Sequence, residues 1–360
     1  MKLLHIILFL LMIILFATFY DAGLEPFETQ DENRPFKPEY LQTLETHSKG
    51  KHFPFRYFTD ENKKVIPLVA VTSFFRDDNA KTLYKEYQDN GVTIIGITAY
   101  KSFPNKIKDG TADDYTGDQD FDYVGKIKNW LCCFNDPKHY GFTESNNIID
   151  ISESDFYDAE DAVKLNEQKK YDVIYSCPDD DAKSCPKDGW NAVNRNFELA
   201  KKCFVIMIRD FGLNVLVIGR TKCGLEEQYG NKIKTVDFLP WDQFQQRLRE
   251  SRILFVPNVA DASPRVIAEA MTKNVPVLMN RQIMCGSKYV NAESGELFTD
   301  ETDVADALKK IVGGKKDARK WWQQNYSKQK SAVKLCDFVK KVFPDAAAFS
   351  KDIKEIHFVL

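Results

Sequence analysis

Histidine is scarce in this chain. Its 360 residues include five, at positions 5, 47, 52, 139 and 357, and none of its eight cysteines stands in a CxxC pair. A zinc site needs Cys and His ligands at close spacing, so no metal site of that kind is expected. Excess charge of one sign is also missing. Lys and Arg total 50 against 53 Asp and Glu, a net charge of −3, and the lysines are spread along the chain rather than gathered into an arm. A nucleic-acid-binding protein usually carries a basic surface, so nucleic acid is not the expected partner. The sequence has no fixed-period repeat and no low-complexity tract, which sets aside solenoids and disordered arrays. What remains is an ordinary globular composition, 43% hydrophobic and 29% charged. The length suggests roughly two domains.

Long apolar runs are absent except at the start. Leu3–Tyr20 reads LLHIILFLLMIILFATFY, with His5 as its only readily ionisable interruption. A membrane span needs ~17–25 apolar residues, whereas the core of a cleaved signal is ~7–15. Lys2 precedes the run, and Asp21, Glu25 and Glu28 follow it. The positive-inside bias then gives a single-pass type II anchor over 1–20, with the N-terminus cytoplasmic and the rest in the lumen of an endomembrane. A removed signal peptide is the alternative. A polar, Pro-containing stem is expected over 21–64. A lumenal location permits disulfides, and Cys177 and Cys185, which bracket an acidic loop, could pair.

After the stem, VIPLVAVTSF (Val65–Phe74) reads as a buried strand, Asp78–Asp89 as a helix and VTIIGIT (Val92–Thr98) as a strand, together a βαβ unit. The stretch from Lys101 to Phe142 is long and irregular, and Asn147–Ile151 supplies another strand. The second half is clearer. YDVIYS (Tyr171–Ser176), a helix over 190–209, NVLVIGR (Asn214–Arg220), KIKTVDFL, the amphipathic WDQFQQRLRES, ILFVP (Ile253–Pro257) and VPVLM alternate as a doubly wound parallel sheet requires. Ligands of such sheets bind beyond the carboxyl ends of the strands. The loops at 176–189, 220–224 and 257–263 are therefore the candidate site.

One stretch there, VPNVADASPRVIAEAMTKNVPVLM (Val256–Met279), carries Asp261 beyond a buried strand and Glu269 eight positions later in a helix. Ser263-Pro264 is a strong helix start, with Ser as N-cap and Pro at the first helical position, and the helix is expected to run to about Lys273. Its N–H groups and dipole form a site for a phosphate. Two acceptors beside such a cradle suit a nucleotide-linked sugar, whose hydroxyls need acceptors and whose diphosphate needs donors. By spacing alone, a solvated acidic face is the competing reading.

The same stretch resembles the acid-x7-acid motif of retaining glycosyltransferases with the GT-B fold, in particular glycosyltransferase family 4. Asp261 stands where that family usually has its first Glu, Ser263-Pro264-Arg265 stands for its turn, Glu269-Ala270-Met271 for its second Glu, and Val275-Pro276-Val277 for the following strand. The resemblance covers about Tyr171 to Ile311. It implies an α/β chain of two Rossmann-like domains facing a cleft: 65–165 on the acceptor side, 166–315 on the nucleotide-sugar side, then a helical segment over 316–360. Within that segment, Ala318–Val342 is expected to cross back and brace the first domain.

The resemblance assigns the donor ribose to Glu269 and the transferred sugar to Asp261, one methylene shorter than the family's Glu. It assigns the diphosphate to the turn at Ser263, Pro264, Arg265 and Val266, with Pro264 lacking an N–H to give. The family's Arg and Lys pair, which neutralises the leaving diphosphate, does not occur in its usual Gly-Arg-x-x-x-x-Lys-Gly order. Lys187, Arg195 and Arg220 are the candidates for that duty. The loop Phe238-Leu239-Pro240-Trp241 falls where the family reads the base, so Trp241 is expected to line the nucleobase. Gly96–Phe103 is a candidate cleft lining from the first half. His139 reads as loop. No general base is assigned, because a donor phosphate oxygen takes the acceptor proton in the same-face mechanism. The donor is a substrate, no cofactor is implied, and the acceptor is a glycan, glycoprotein or lipid-linked hydroxyl.

Three other readings stay open. Asp179-Asp180-Asp181 contains the DxD of metal-dependent GT-A transferases, whose metals want oxygen ligands. A non-catalytic membrane protein that binds a nucleotide sugar or glycan would show the same departures from the motif. A GT-B epimerase shares the fold but has less use for an anchor.

Overall fold

The computed structural model describes residues 34–60, 62–98, 103–105, 117–118, 120–159, 167–179, 184–261, 264–342 and 357–358. The segment expected to anchor the chain lies outside these residues. Among the described residues no helix is long and apolar enough to cross a membrane.

Among the described residues two six-stranded sheets carry the fold. The first contains β1 (Phe55–Thr59), β2 (Val65–Val71), β3 (Thr93–Ile97), β4 (Asn129–Cys132) and β5 (Asn147–Asp150), hydrogen-bonded in that order. β2 to β5 run parallel, and β1 is antiparallel to β2. Every residue of β2 is buried, because both faces of the strand are covered. Val65, Val69 and Val71 share a core with Leu44 of α1 (Leu41–Gly50), with Tyr84 and Tyr87 of α2 (Asp78–Asp89) and with Tyr123 of α3 (Tyr123–Lys126). Ile66, Leu68 and Ala70 face the other way. This alternation follows from the two-residue period of a strand. Asp77 caps α2, its carboxylate accepting from Ala80 N–H. Gly96 is required by packing, since a Cβ there would meet the Trp130 ring at 2.2 Å.

The expected βαβ unit is present, and two expectations fail around it. β4 lies inside the stretch expected to be irregular. The stem expected over 21–64 is folded from Pro38 on, because Tyr40, Leu44 and Phe55 are apolar enough to join the first core. The first unit is also not doubly wound: among the described strands it steps one way from β2 to β5, with an antiparallel partner at β2's other edge.

The second sheet contains β6 (Tyr171–Ser176), β7 (Val215–Ile218), β8 (Ile233–Val236), β9 (Ser251–Val256), β10 (Val277–Asn280) and β11 (Gly295–Phe298). They lie in the order β11-β10-β9-β6-β7-β8, all parallel. The chain winds outward from β6 in one direction, returns to β9, and winds outward in the other. That is the Rossmann strand order. α4 (Trp190–Asn194), α5 (Phe197–Arg209), α6 (Leu225–Tyr229), α7 (Trp241–Arg249) and α8 (Arg265–Met271) connect the strands, and α9 (Val304–Gly313) follows the last of them. Val173 and Tyr175 of β6 pack with Phe204 and Met207 of α5 and Leu308 of α9. Ile174, between them, packs with Leu248 of α7 and Ile267 of α8. The helix expected over 190–209 is broken at Asn196, whose φ of 49° ends α4 and restarts the chain as α5.

The C-terminal segment adds α10 (Ala318–Asn325), α11 (Lys328–Val342) and the short strand β12 (His357–Phe358), which pairs antiparallel with β1. Leu335, Phe338 and Val339 of α11 cover the face of the first sheet that carries Ile66 and Leu68. The two units also meet directly. Asn135 N–H donates to Met284 O at 2.9 Å, Asn135 Nδ2 to Ile283 O at 2.7 Å, and Lys288 Nζ bonds Asp150 and Asp155, each at 2.8 Å.

The disulfide joins Cys185 to Cys223, not to Cys177. β6 and β7 are neighbouring parallel strands, so the loops that follow them emerge side by side and their cysteines meet. Cys177 points inward instead, fully buried against the α5 core.

Candidate functional site

A cavity of about 500 Å³ opens at the carboxyl ends of the second sheet. Ser176 of β6, Ile218 of β7 and Leu254–Val256 of β9 form its floor. The position follows from topology. β6 and β9 are adjacent, but the loops after them lead to opposite sides of the winding, and a crevice is left between them. Each described lining residue belongs to the second unit.

Two carboxylates and two arginines line this cavity: Asp261, Glu269, Arg195 and Arg265. Asp261 lies just beyond β9. Its Oδ2 accepts from Arg195 Nη1 at 2.6 Å and from Asn258 Nδ2 at 3.1 Å. Arg195 sits at the C-terminal cap of α4, where its carbonyl accepts from the Tyr175 hydroxyl at 3.0 Å. Glu269 is on the fifth residue of α8 and only 8% exposed. Its Oε1 accepts from Trp241 Nε1 at 3.2 Å. Although its N–H reaches inward, Trp241 is 58% exposed, and Phe238 beside it is 69% exposed. Two exposed aromatic side chains thus stand at the rim of the cavity.

Seven of the ten candidate residues from the sequence line this one cavity: Arg195, Trp241, Asp261, Pro264, Arg265, Val266 and Glu269. Ser263 lies outside the described residues. Pro264, expected at the first helical position, stands at the cap of α8 with no side-chain cap bond, and the helix is the seven-residue Arg265–Met271 rather than a run to Lys273. Lys187 is exposed and does not line the cavity. Arg220 is fully buried. Gly219 and Arg220 both have left-handed φ, 85° and 58°, and the turn folds the guanidinium inward. There Nε donates to Cys177 Sγ at 3.1 Å and Nη1 to Pro186 O at 3.3 Å. The plane lies 5.1 Å from the Phe197 ring centroid. Arg220 therefore braces the loops around the cavity instead of reaching a ligand in it. Burial pushes the Cys177 thiol up from its ordinary value, with the bond from Arg220 pulling against that rise.

Asp179, the first acid of the DxD, uses Oδ1 to accept from Arg220 N–H at 3.0 Å. Asp180 and Asp181 lie outside the described residues. Among the described residues no cluster of three or more His, Cys, Asp or Glu could hold a metal ion. Among the described residues no first-half candidate lines the cavity: Phe103 is buried in the first core and His139 is exposed on a turn against Tyr140, while 99–102 lie outside the described residues. Sequence reading passed over Asn258, which holds Asp261 in place. Its signal was its position, a polar residue immediately after the strand-ending Val256-Pro257.

No known family profile matches the sequence, and no curated protein matches it. Solved structures do match its fold. A sucrose-phosphate synthase from Thermosynechococcus elongatus superposes with a TM-score of 0.53 at 13% identity, over 85% of this chain and 78% of that one. The lipopolysaccharide outer core galactosyltransferase WaaB superposes at 0.50 and 16% identity, over 78% and 75%. TarM superposes at 0.48 and 14% identity over 71% of this chain, and this chain spans only 53% of TarM's length. The chain thus shares the two-sheet GT-B fold of glycosyltransferases.

Proposed function

We propose that the chain is a glycosyltransferase that seats a nucleotide-sugar donor in the cavity at the β6/β9 switch point. The observation that carries this reading is the convergence of Asp261, Glu269 and Arg195, from three separate segments, on one cavity at the place where such sheets bind ligands. In this reading Glu269 accepts from the ribose hydroxyls, and Asp261 faces the transferred sugar. Arg195 and Arg265 neutralise the diphosphate, and Phe238 and Trp241 cover the base. The acceptor hydroxyl of a glycan or similar molecule approaches from the side of the first sheet. Its oxygen bonds to the anomeric carbon as the bond from that carbon to the diphosphate breaks. The hydroxyl proton passes to an oxygen of the departing diphosphate, which requires no protein base and retains configuration. Positive charge on Arg195 then stabilises the leaving group most when its charge is greatest. The fold shared with sucrose-phosphate synthase and WaaB supports a nucleotide-sugar donor, and the ribose role makes it testable.

Calorimetric titration with nucleoside diphosphates, comparing the unmodified chain with Glu269→Gln, tests the reading. A carboxylate accepting from hydroxyls contributes about 1.5–3 kcal/mol, so the variant is expected to bind at least tenfold more weakly while its thermal melt is unchanged. Equal affinity in the two proteins would mean that Glu269 does not contact the ribose.

A further inference from the structure

Arg195 faces the cavity already paired. The contact to Asp261 is 2.6 Å, with side-chain exposures of 28% and 17%, and Asn258 holds the same carboxylate oxygen. The backbone fixes both partners. Val259 N–H donates to Asn194 O at 3.1 Å, tying the loop that leads to Asp261 to the helix end that carries Arg195. This is not a chance meeting of two long side chains in solvent, where an ion pair is worth little.

The remaining charges leave the pair in control of the site. Among the described lining residues, the other cation is Arg265, which is exposed, and the other anion is Glu269. Arg220 is committed to Cys177 and Pro186, and Lys187 is outside the cavity. Two arginines and two carboxylates nearly cancel, so an incoming anion meets little net attraction until the pair opens.

We propose that Asp261 is a tethered counterion that occupies Arg195 until a diphosphate displaces it, so that the site selects donors by charge. The proposal rests on the nucleotide-sugar reading above. A monophosphate offers Arg195 little more than the carboxylate already in place. A diphosphate carries more charge and a second set of oxygens, and it can engage Arg195 and the exposed Arg265 together. Its arrival turns Asp261 away from the guanidinium and toward the sugar side of the cavity. Recognition of the diphosphate and of the sugar are then coupled through one side chain, and the coupling is reciprocal.

The test uses the full chain, calorimetry, and the mono- and diphosphates of uridine, guanosine and adenosine. Four proteins are compared: unmodified, Asp261→Asn, Arg195→Gln and the double variant, each checked by thermal melting. Asp261→Asn keeps the shape and removes the charge, so the best diphosphate should bind at least fivefold tighter. The monophosphate should gain more, narrowing the difference between them. Arg195→Gln should weaken the diphosphate at least tenfold, and in that background Asp261→Asn should add less than twofold. Unchanged or weaker binding by Asp261→Asn would overturn the proposal and make Asp261 a residue that positions Arg195. A full gain in the absence of Arg195 would overturn it too, since the effect would then be field at a distance. If none of the four proteins binds any nucleoside diphosphate, the donor reading itself fails and this proposal with it.

Discussion

Asp155→Asn should loosen the junction between the two sheets. Asp155 is 1% exposed, in the turn Glu153–Phe156 that follows β5. Its Oδ1 accepts from the Tyr289 hydroxyl at 2.5 Å, its Oδ2 from Lys288 Nζ at 2.8 Å, and its carbonyl from Ser331 Oγ at 2.6 Å. The first sheet, the second unit and α11 therefore meet on one residue. Removing one partner of a buried ion pair costs about 3–5 kcal/mol, chiefly because the other charge is left uncompensated. Here Lys288 keeps Asp150 at 2.8 Å, with a carboxylate that is 54% exposed, so the lower end, about 3 kcal/mol, is expected. Guanidinium unfolding of Asp155→Asn, Lys288→Met and the double variant gives the measurement. Met needs no counter-charge, so the double variant should be more stable than Asp155→Asn alone. A loss below about 1 kcal/mol, or strictly additive losses, would refute the reasoning. The pH dependence has a definite sign. Burial pulls the Lys288 ammonium down, but Asp155 and Asp150 outweigh it and hold its pKa above the ordinary lysine value. The lysine's contribution is thus fully present below the unfolded value of ~10.4 and is lost as pH rises from there toward the folded value. Stability of the unmodified chain should fall above that pH more steeply than that of Lys288→Met.

The Cys185–Cys223 bond closes 38 residues, which by chain entropy is worth about 4 kcal/mol. The double Ser variant should lose about 2–4 kcal/mol in denaturant unfolding; a loss under about 1 kcal/mol would show that Arg220 and its contacts hold the loops without it. Gln245 of α7 is buried with neither amide atom hydrogen-bonded. Gln245→Leu should therefore raise stability by about 1–3 kcal/mol, and a fall in melting temperature would show that the amide has a partner after all.

Most of the second unit was legible in the sequence because strands such as β7, β9 and β10 are short apolar runs and helices precede them, whereas β11, which carries Glu296 and follows β10 with only a 3₁₀ turn between, was not read. A doubly wound sheet buries such strands on both faces, and that arrangement puts the loops after β6, β7 and β9 at one end. Asp261 and Glu269 could be placed there from order alone. The first unit was harder to read. β4 carries Asn129 at its start and lies in a stretch dense with Asp and Lys, so neither periodicity nor composition announced it. The stem looked polar because α1 offers only Leu41 and Leu44 among polar residues, and the aromatics of β1 (Phe55, Tyr57, Phe58) find their packing partners in distant segments.

Local pattern settled which residue types stand at the strand ends, because solvation and backbone preference act over a few positions. It could not settle where the cations point. Lys187, Arg195 and Arg220 look alike in sequence. The left-handed turn at Gly219-Arg220 sends one guanidinium into the core, the break at Asn196 leaves another facing Asp261, and the lysine stays in solvent. Cysteine pairing likewise depended on β6 and β7 being neighbours, not on the spacing of Cys177 and Cys185. These are contacts between segments tens of residues apart. They are decided by which strands adjoin and by what each side chain must give up on burial, and only the folded chain brings those terms together.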